Sequence, residues 1–248
     1  MALSELFHRP VNTGDDQYDH HHRDVKGGAA RAAVFGMSDG LVSNVSLILG
    51  VAGASPAPGV VRLAGVAGLI AGASSMAAGE FVSVQAQAEL LQRELDVERI
   101  EIEDRPEKER RELAGIYRSR GVNPSVAERM ATELSVDVDT ALEAHAREEL
   151  GIDPDELGSP VRAAVASFLA FTLGATVPLV PWFVGRGAGA VVASIVLSVV
   201  AAVALGAALA RFTGRGVAAS AFRQLAVSAL AAIVTFGVGR LFHVEGGV

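Results

Sequence analysis

Residues 163–210 read AAVASFLAFTLGATVPLVPWFVGRGAGAVVASIVLSVVAAVALGAALA, and Arg186 is the one charged side chain among them. At about 1.5 Å of rise per residue, roughly 20 apolar residues cross a hydrocarbon core about 30 Å thick. The stretch is therefore long enough for two membrane-spanning helices, 163–185 and 187–210, with a turn at Arg186. Working outward, windows 32–53 and 63–84 have the same character apart from one acid each, Asp39 and Glu80, and add two more spans. A fifth span, 219–242, lies around the uncharged run between Arg223 and Arg240, whose long side chains can snorkel to the membrane surface.

Composition agrees with this reading. The chain is 50% hydrophobic but only 5% aromatic and carries 27 glycines, so its apolar mass is Ala, Val, Leu and Gly, the mixture that lets helices approach closely in lipid. Its positive mean hydropathy argues against a soluble enzyme. A formal charge of -7 argues against a nucleic-acid binder, which needs a basic surface to displace counterions from phosphate. With no Cys there are no disulfides, zinc-thiolate sites or thiol nucleophiles. Lys26 and Lys108 are the only lysines among 21 basic residues, and the bias toward Arg and Ala suggests a bacterial source with a GC-rich genome.

Charge is concentrated between the second and third spans. Residues 85–160 hold 20 of the 28 acids and 10 of the 21 bases, a net charge of -10, and must lie in water. Helical pieces are predicted at 86–105, continuing the second span, at 107–119, from Ser125 onward, and at 137–149, punctuated by Pro106, Gly121, Gly151 and Pro154. Ser159-Pro160 marks the return to the membrane. Arg9, Arg23, Lys26 and Arg31 precede the first span, and Arg211, Arg215 and Arg223 join the fourth to the fifth, whereas 53–61 has no charge and the third-to-fourth turn has only Arg186. Positive residues stay on the cytoplasmic side. The expected organisation is a cytoplasmic polar arm 1–30, spans one and two in 31–84, a cytoplasmic acidic helical domain 85–160, spans three to five in 161–242, and an external tail 243–248. Residues 1–30 lack the apolar core of a cleaved signal peptide, so the first span is expected to direct its own insertion.

Asp39 and Glu80 are the two acids at membrane depth, where a carboxylate costs at least roughly 2.5–3.5 kcal/mol on insertion scales and is normally kept for a task. Met76 precedes Glu80 by four residues, placing thioether and carboxylate one turn apart on one face, a pairing acceptable to a borderline ion such as Fe²⁺. The plainer alternative is a gap-filling Met and a Glu near the interface. Gly36 and Gly40, and Gly68 and Gly72, form two GxxxG spacings that fit either packing within the bundle or contact between two copies. In the acidic domain Glu94, Glu98 and Glu101 share a face of one helix, and Glu109 and Glu112 repeat the spacing on the next. Facing each other, they form a carboxylate cage for a divalent cation. The alternative is a solvated acidic face paired with Arg99, Arg105, Arg110 and Arg111.

The runs FGMSDGLVS at 35–43 and AGASSMAAGEFVS at 71–83 resemble the two signature helices of the vacuolar iron transporter family. The resemblance extends over nearly the whole chain. It implies an all-α membrane protein of five transmembrane helices, with a cytoplasmic helical metal-binding domain inserted between the second and third. It also implies a homodimer with the ion path between subunits, and proton-coupled movement of Fe²⁺ out of the cytoplasm. Carried over residue by residue, the family's path Asp and Met fall on Asp39 and Met76, its path-region Glu on Glu80, and its cytoplasmic glutamates on Glu98, Glu101, Glu109 and Glu112. A Met pair followed by Glu on its third cytoplasmic helix falls on His145-Ala146 and Glu149. The methionines are absent here, and His145 offers an imidazole to the same site.

The expected function is therefore a secondary transporter exporting Fe²⁺, and Mn²⁺ with it, in exchange for protons. It is not an enzyme, and it carries no cofactor beyond the transported metal. Its partners are divalent metals, protons, the lipid bilayer and a second copy, and not nucleic acid. Its place is the plasma membrane of a bacterium, or the vacuolar membrane of a eukaryote, with the N-terminus cytoplasmic and the C-terminus external. A membrane-anchored di-iron oxidase or iron-storage protein is the alternative, but that chemistry calls for Glu-x-x-His on two helices. The spacing occurs once, at Glu5 and His8. A metal-responsive scaffold leaves the buried acids without a use.

Overall fold

The computed structural model describes residues 28–54, 57–154 and 158–242; positions 1–27, with Glu5 and His8, and the tail 243–248 lie outside the described residues. Among the described residues the chain is helical, without strands: α1 (Gly28–Ala54), α2 (Pro58–Asp104), α3 (Pro106–Ser119), α4 (Pro124–Leu134), α5 (Val138–Glu148), α6 (Pro160–Leu179), α7 (Pro181–Val184), α8 (Gly187–Thr213) and α9 (Val217–Leu241). Five of these, α1, α2, α6, α8 and α9, are long and apolar enough to cross a membrane. Their outer faces carry large exposed side chains such as Leu63, Ile70, Phe222, Leu230 and Ile233. On a water-soluble chain such a belt would be an aggregation surface; on spanning helices it is the face that meets lipid.

α2 is a single helix of 47 residues. At 1.5 Å per residue it is about 70 Å long, more than twice the hydrocarbon thickness, so the second span leaves the membrane without a break. The third window is not one helix. Pro178 lies inside α6 and Pro181 starts α7, neither having an N–H to give the preceding turn, and the helix ends at Leu179 before restarting. The elbow sets Trp182, fully buried, against Ile48, Ala52, Val61, Leu179 and Ala190, closing the end of the bundle remote from the acidic insert.

α1 is the axis of the bundle and touches α2, α6, α8 and α9. Its glycines explain how closely. A Cβ on Gly36 would lie 2.9 Å from the Ser167 oxygen, one on Gly40 2.2 Å from the Phe171 oxygen, and one on Gly174 2.2 Å from the Met37 oxygen, so α1 and α6 meet backbone to backbone. Gly68 and Gly72 meet side chains instead, Leu47 and the Phe171 ring. The Gly36 and Gly40 spacing is thus spent inside one chain, and the dimer-contact reading of that pair is corrected: helices that touch at backbone distance leave no room for a partner at the same residues.

Several polar groups in the spans reach partners on other helices, which the absence of water favours. Ser194 donates to the Pro178 oxygen at 2.7 Å, Gln224 Nε2 to Ser38 Oγ at 2.8 Å, and Asn44 Nδ2 to the Ala175 oxygen at 2.6 Å. Between the spans, α3 and α4 bury Leu113, Ala114, Tyr117, Ala127 and Ala131 as a small core. Asn123 and Asp137 cap α4 and α5 by accepting from the Ser125 and Thr140 amides, and Ser159 caps α6 through the Arg162 amide.

Candidate metal sites

Two groups of ligand-type side chains stand out, one in the spans and one in the insert. In the spans, Asp39, Ser43, Asn44 and Leu47 of α1, Gly68, Gly72, Ser75 and Met76 of α2, and Phe171 of α6 line a cavity of about 290 Å³. Asp39 sits twelve residues into α1 and its carboxylate accepts a 2.6 Å hydrogen bond from Ser43 Oγ one turn on. Met76 packs against the Ala73, Phe171 and Ala175 cluster while also lining the cavity. The structure therefore places Asp39 and Met76 at one opening, a carboxylate beside a soft thioether. Glu80, half-buried one turn beyond Met76, is not among the residues that line it.

In the insert, Glu98 of α2, Glu109 of α3 and His145 of α5 converge, and one ligand atom from each lies within 4.8 Å of the others. They are 7%, 3% and 0% exposed. Each occupies a core position of its helix: Glu98 lies between buried Leu95 and Ile102, Glu109 one turn before Leu113, and His145 one turn after Ala141. His145 Nδ1 is 2.9 Å from Glu149 Oε2 and 3.0 Å from Glu98 Oε1. Nδ1 is within hydrogen-bond distance of Glu149, while Nε2 is buried and without a hydrogen-bond partner among the described residues. A carboxylate-oriented imidazole beside two buried carboxylates is a donor set for a divalent transition ion.

Glu101 and Glu112 stand on the rim, each about two-fifths exposed, with a cation among them. Lys108 Nζ is 2.9 Å from Glu109, 3.6 Å from Glu112 and 3.9 Å from Glu101, and its hydrogen bond to Glu109 raises its pKa. The expected arginine partners are engaged differently. Arg99 pairs with Asp139, Arg110 with Glu107 and Glu128, and Arg111 donates to the Glu107 oxygen. The compensating charge at the carboxylates is thus a lysine that the arginine-centred reading passed over. Glu94 is exposed and apart from the cluster, although it shares the spacing of Glu98 and Glu101.

Burial pushes the Glu98 carboxyl from the ordinary 4.5 up to about 7, reinforced by the Glu149, Glu109 and Glu101 charges and opposed by His145. The proton held by Glu98 stabilises the fold in full below pH 4.5, and that contribution is lost as pH rises through about 7. A divalent cation bound at this cluster would take the place of that proton. Its apparent affinity should fall by about tenfold per pH unit below 7 for the one proton displaced. Mn²⁺ is therefore expected to raise the Tm of the detergent-solubilised chain more at pH 8 than at pH 6. Equal shifts at the two pH values would remove Glu98 from the ligand set.

Ser43, Asn44, Ser75 and Lys108 are neither acids nor thioethers, so ligand type alone does not single them out in the sequence. The sequence signal for Asn44 is an amide inside a span, five residues from Asp39.

A family model described as the VIT family matches residues 30–240. The chain is 38% identical over 228 residues to a vacuolar iron transporter of Acanthamoeba castellanii, covering 89% of this chain and 82% of that protein. It is 38% identical over 217 residues to vacuolar iron transporter homolog 1 of Oryza sativa subsp. japonica, covering 87% and 75%. It is 30% identical over 226 residues to vacuolar iron transporter 1 of Arabidopsis thaliana, covering 90% of each.

Proposed function

The chain belongs to the VIT family, and from that footing we propose that it is a secondary transporter, not an enzyme, that carries Fe²⁺ and Mn²⁺ out of the cytoplasm in exchange for protons. The observation that carries this reading is the pairing of two ligand groups on one continuous helix. Met76 lines the cavity in the spans, and 22 residues further along α2, about 33 Å by helical rise, Glu98 enters the buried cluster of the insert.

The division of labour follows from chemistry. Glu98, Glu109 and His145, with Glu149 orienting the imidazole and Glu101 and Glu112 on the rim, take the cation from the cytoplasm. The acidic insert raises the local cation concentration. Asp39 and Met76 then receive it at the membrane cavity. The Asp39 carboxylate binds either the metal or a proton, which couples export to proton return, and the Ser43 hydroxyl holds it in place. Glu80 would serve one turn away on the same helix.

The insert is read as cytoplasmic, with the C-terminus external, on the distribution of Arg and Lys. A second copy would cover the open side of α2, whose span is largely exposed, and the exposed Asp39, Ser43 and Leu47 stripe of α1, so a homodimer fits. The di-iron alternative depends on Glu5 and His8, outside the described residues, and no observation favours it.

The deciding experiment is uptake of Fe²⁺ and Mn²⁺ by proteoliposomes under an imposed pH gradient. Acid on the face opposite the insert should accelerate metal movement toward it. Flux that ignores the gradient at constant voltage would make the protein a channel or uniporter.

A further inference from the structure

We infer that Asn44 supplies a neutral oxygen ligand to the cation at the membrane cavity, and that Gly68 keeps open the space through which the cation reaches it. The inference rests on the transport reading for the identity of the ligand, and on the following geometry for everything else.

Asn44 is 2% exposed. Its Nδ2 donates to the Ala175 oxygen of α6 at 2.6 Å. The amide can face Ala175 only this way round, because the reverse orientation would set Oδ1 against a carbonyl oxygen. Oδ1 is thereby turned from α6 toward α2, where a Cβ built on Gly68 would lie 3.2 Å from it. It is buried and has no hydrogen-bond partner among the described residues. A buried acceptor left unpaired between packed helices is costly, and such groups are rare in folded proteins without a task.

The surroundings say what the task is. Asn44 lines the same cavity as the Asp39 carboxylate, the Ser43 and Ser75 hydroxyls and the Met76 thioether. Water approaches an acceptor oxygen no closer than about 2.7 Å, whereas a small divalent cation sits at roughly 2.0–2.2 Å. An oxygen closed to water by crowding is thus still within reach of a cation that has shed its hydration shell. An amide oxygen replaces one water of that shell without adding a second negative charge beside Asp39. The ion is held firmly enough to enter and loosely enough to leave.

The competing role for Asn44 is a staple between α1 and α6, and Gly68→Ala separates the two. The new methyl leaves the bond to Ala175 intact and closes on Oδ1. Its tightest contact, 2.3 Å, is with Leu47 Cδ2, the end of a flexible side chain that can swing aside. The test is Mn²⁺ flux by full-length protein in proteoliposomes, with Tm measured alongside. Gly68→Ala and Asn44→Ala should each raise KM about tenfold or more, Gly68→Ala with Tm kept. Asn44→Asp should lower KM and kcat together, since an anion binds the cation but releases it slowly. Wild-type flux with KM unchanged in Gly68→Ala overturns the assignment of Asn44 and leaves the transport reading standing. A wild-type protein that moves no metal overturns both.

Discussion

Asp39→Asn strongly reduces divalent-metal flux in proteoliposomes while the protein still inserts and purifies in the same oligomeric state as wild type. The substitution keeps the shape of the side chain and leaves Ser43 a carbonyl oxygen to donate to, so packing around α1 is preserved. What is lost is the charge. A full charge about 4 Å from its partner is worth on the order of 4 kcal/mol at the effective dielectric near a protein surface, so metal occupancy should fall at least ~100-fold. The asparagine also cannot carry a proton back, and residual flux should be insensitive to the pH gradient. Met76→Ala is expected to follow it in rate, with a difference in kind. Losing a thioether removes a soft donor and leaves hard-ion affinity untouched, so Fe²⁺ should suffer more than Mn²⁺. Wild-type flux in Asp39→Asn would falsify the role given to this residue.

Removing the buried ligands of the insert should act on metal demand before it acts on maximal rate. Glu98→Ala, Glu109→Ala and His145→Ala each delete one donor of the convergent set, and loss of a single ligand or of the group orienting it costs roughly 10–100-fold in affinity. Calorimetric titration of the full-length protein with Mn²⁺ under anaerobic conditions would register the loss. Transport should survive at high metal, because Asp39 and Met76 remain. Lys108→Met supplies the opposite sign. Its ammonium stands among Glu101, Glu109 and Glu112 and competes for their oxygens, so the variant should bind Mn²⁺ several-fold more tightly, and most visibly at low salt. If the three alanine variants instead abolish flux at every metal concentration, the insert is an obligatory part of the path. If none of them alters binding, the cluster is a buried polar network without a cation.

Hydropathy alone located the five spans and the acidic stretch, because membrane insertion is decided residue by residue along a helix and needs no knowledge of its neighbours. Local rules did as well in the insert. Pro106 opens α3, Gly121 ends the turn after it, and Asp137 caps α5, since prolines, glycines and caps act within a few residues of their own position. Asp39 and Met76 were legible for the same reason, each standing out against an apolar window. The break in the third span does not show in hydropathy, because Pro178 and Pro181 are as apolar as their neighbours and act only by withholding backbone donors.

Contacts between helices were a different matter. Spacing put Glu94, Glu98 and Glu101 on one face of α2, yet only the packing of α3 and α5 against that face decided that Glu98 is buried, Glu101 half-exposed and Glu94 left in water. Likewise the glycine pairs announced close approach without naming the partner, which proved to be α6, α1 and the Phe171 ring within the same chain. The Asn44 oxygen is likewise directed by a distant segment, since the Ala175 carbonyl takes its Nδ2 and turns Oδ1 toward Gly68. The physical reason is common to all three: helical periodicity specifies which side chains share a face, whereas the groups opposite that face, and so its burial and its field, come from segments tens to more than a hundred residues away in sequence.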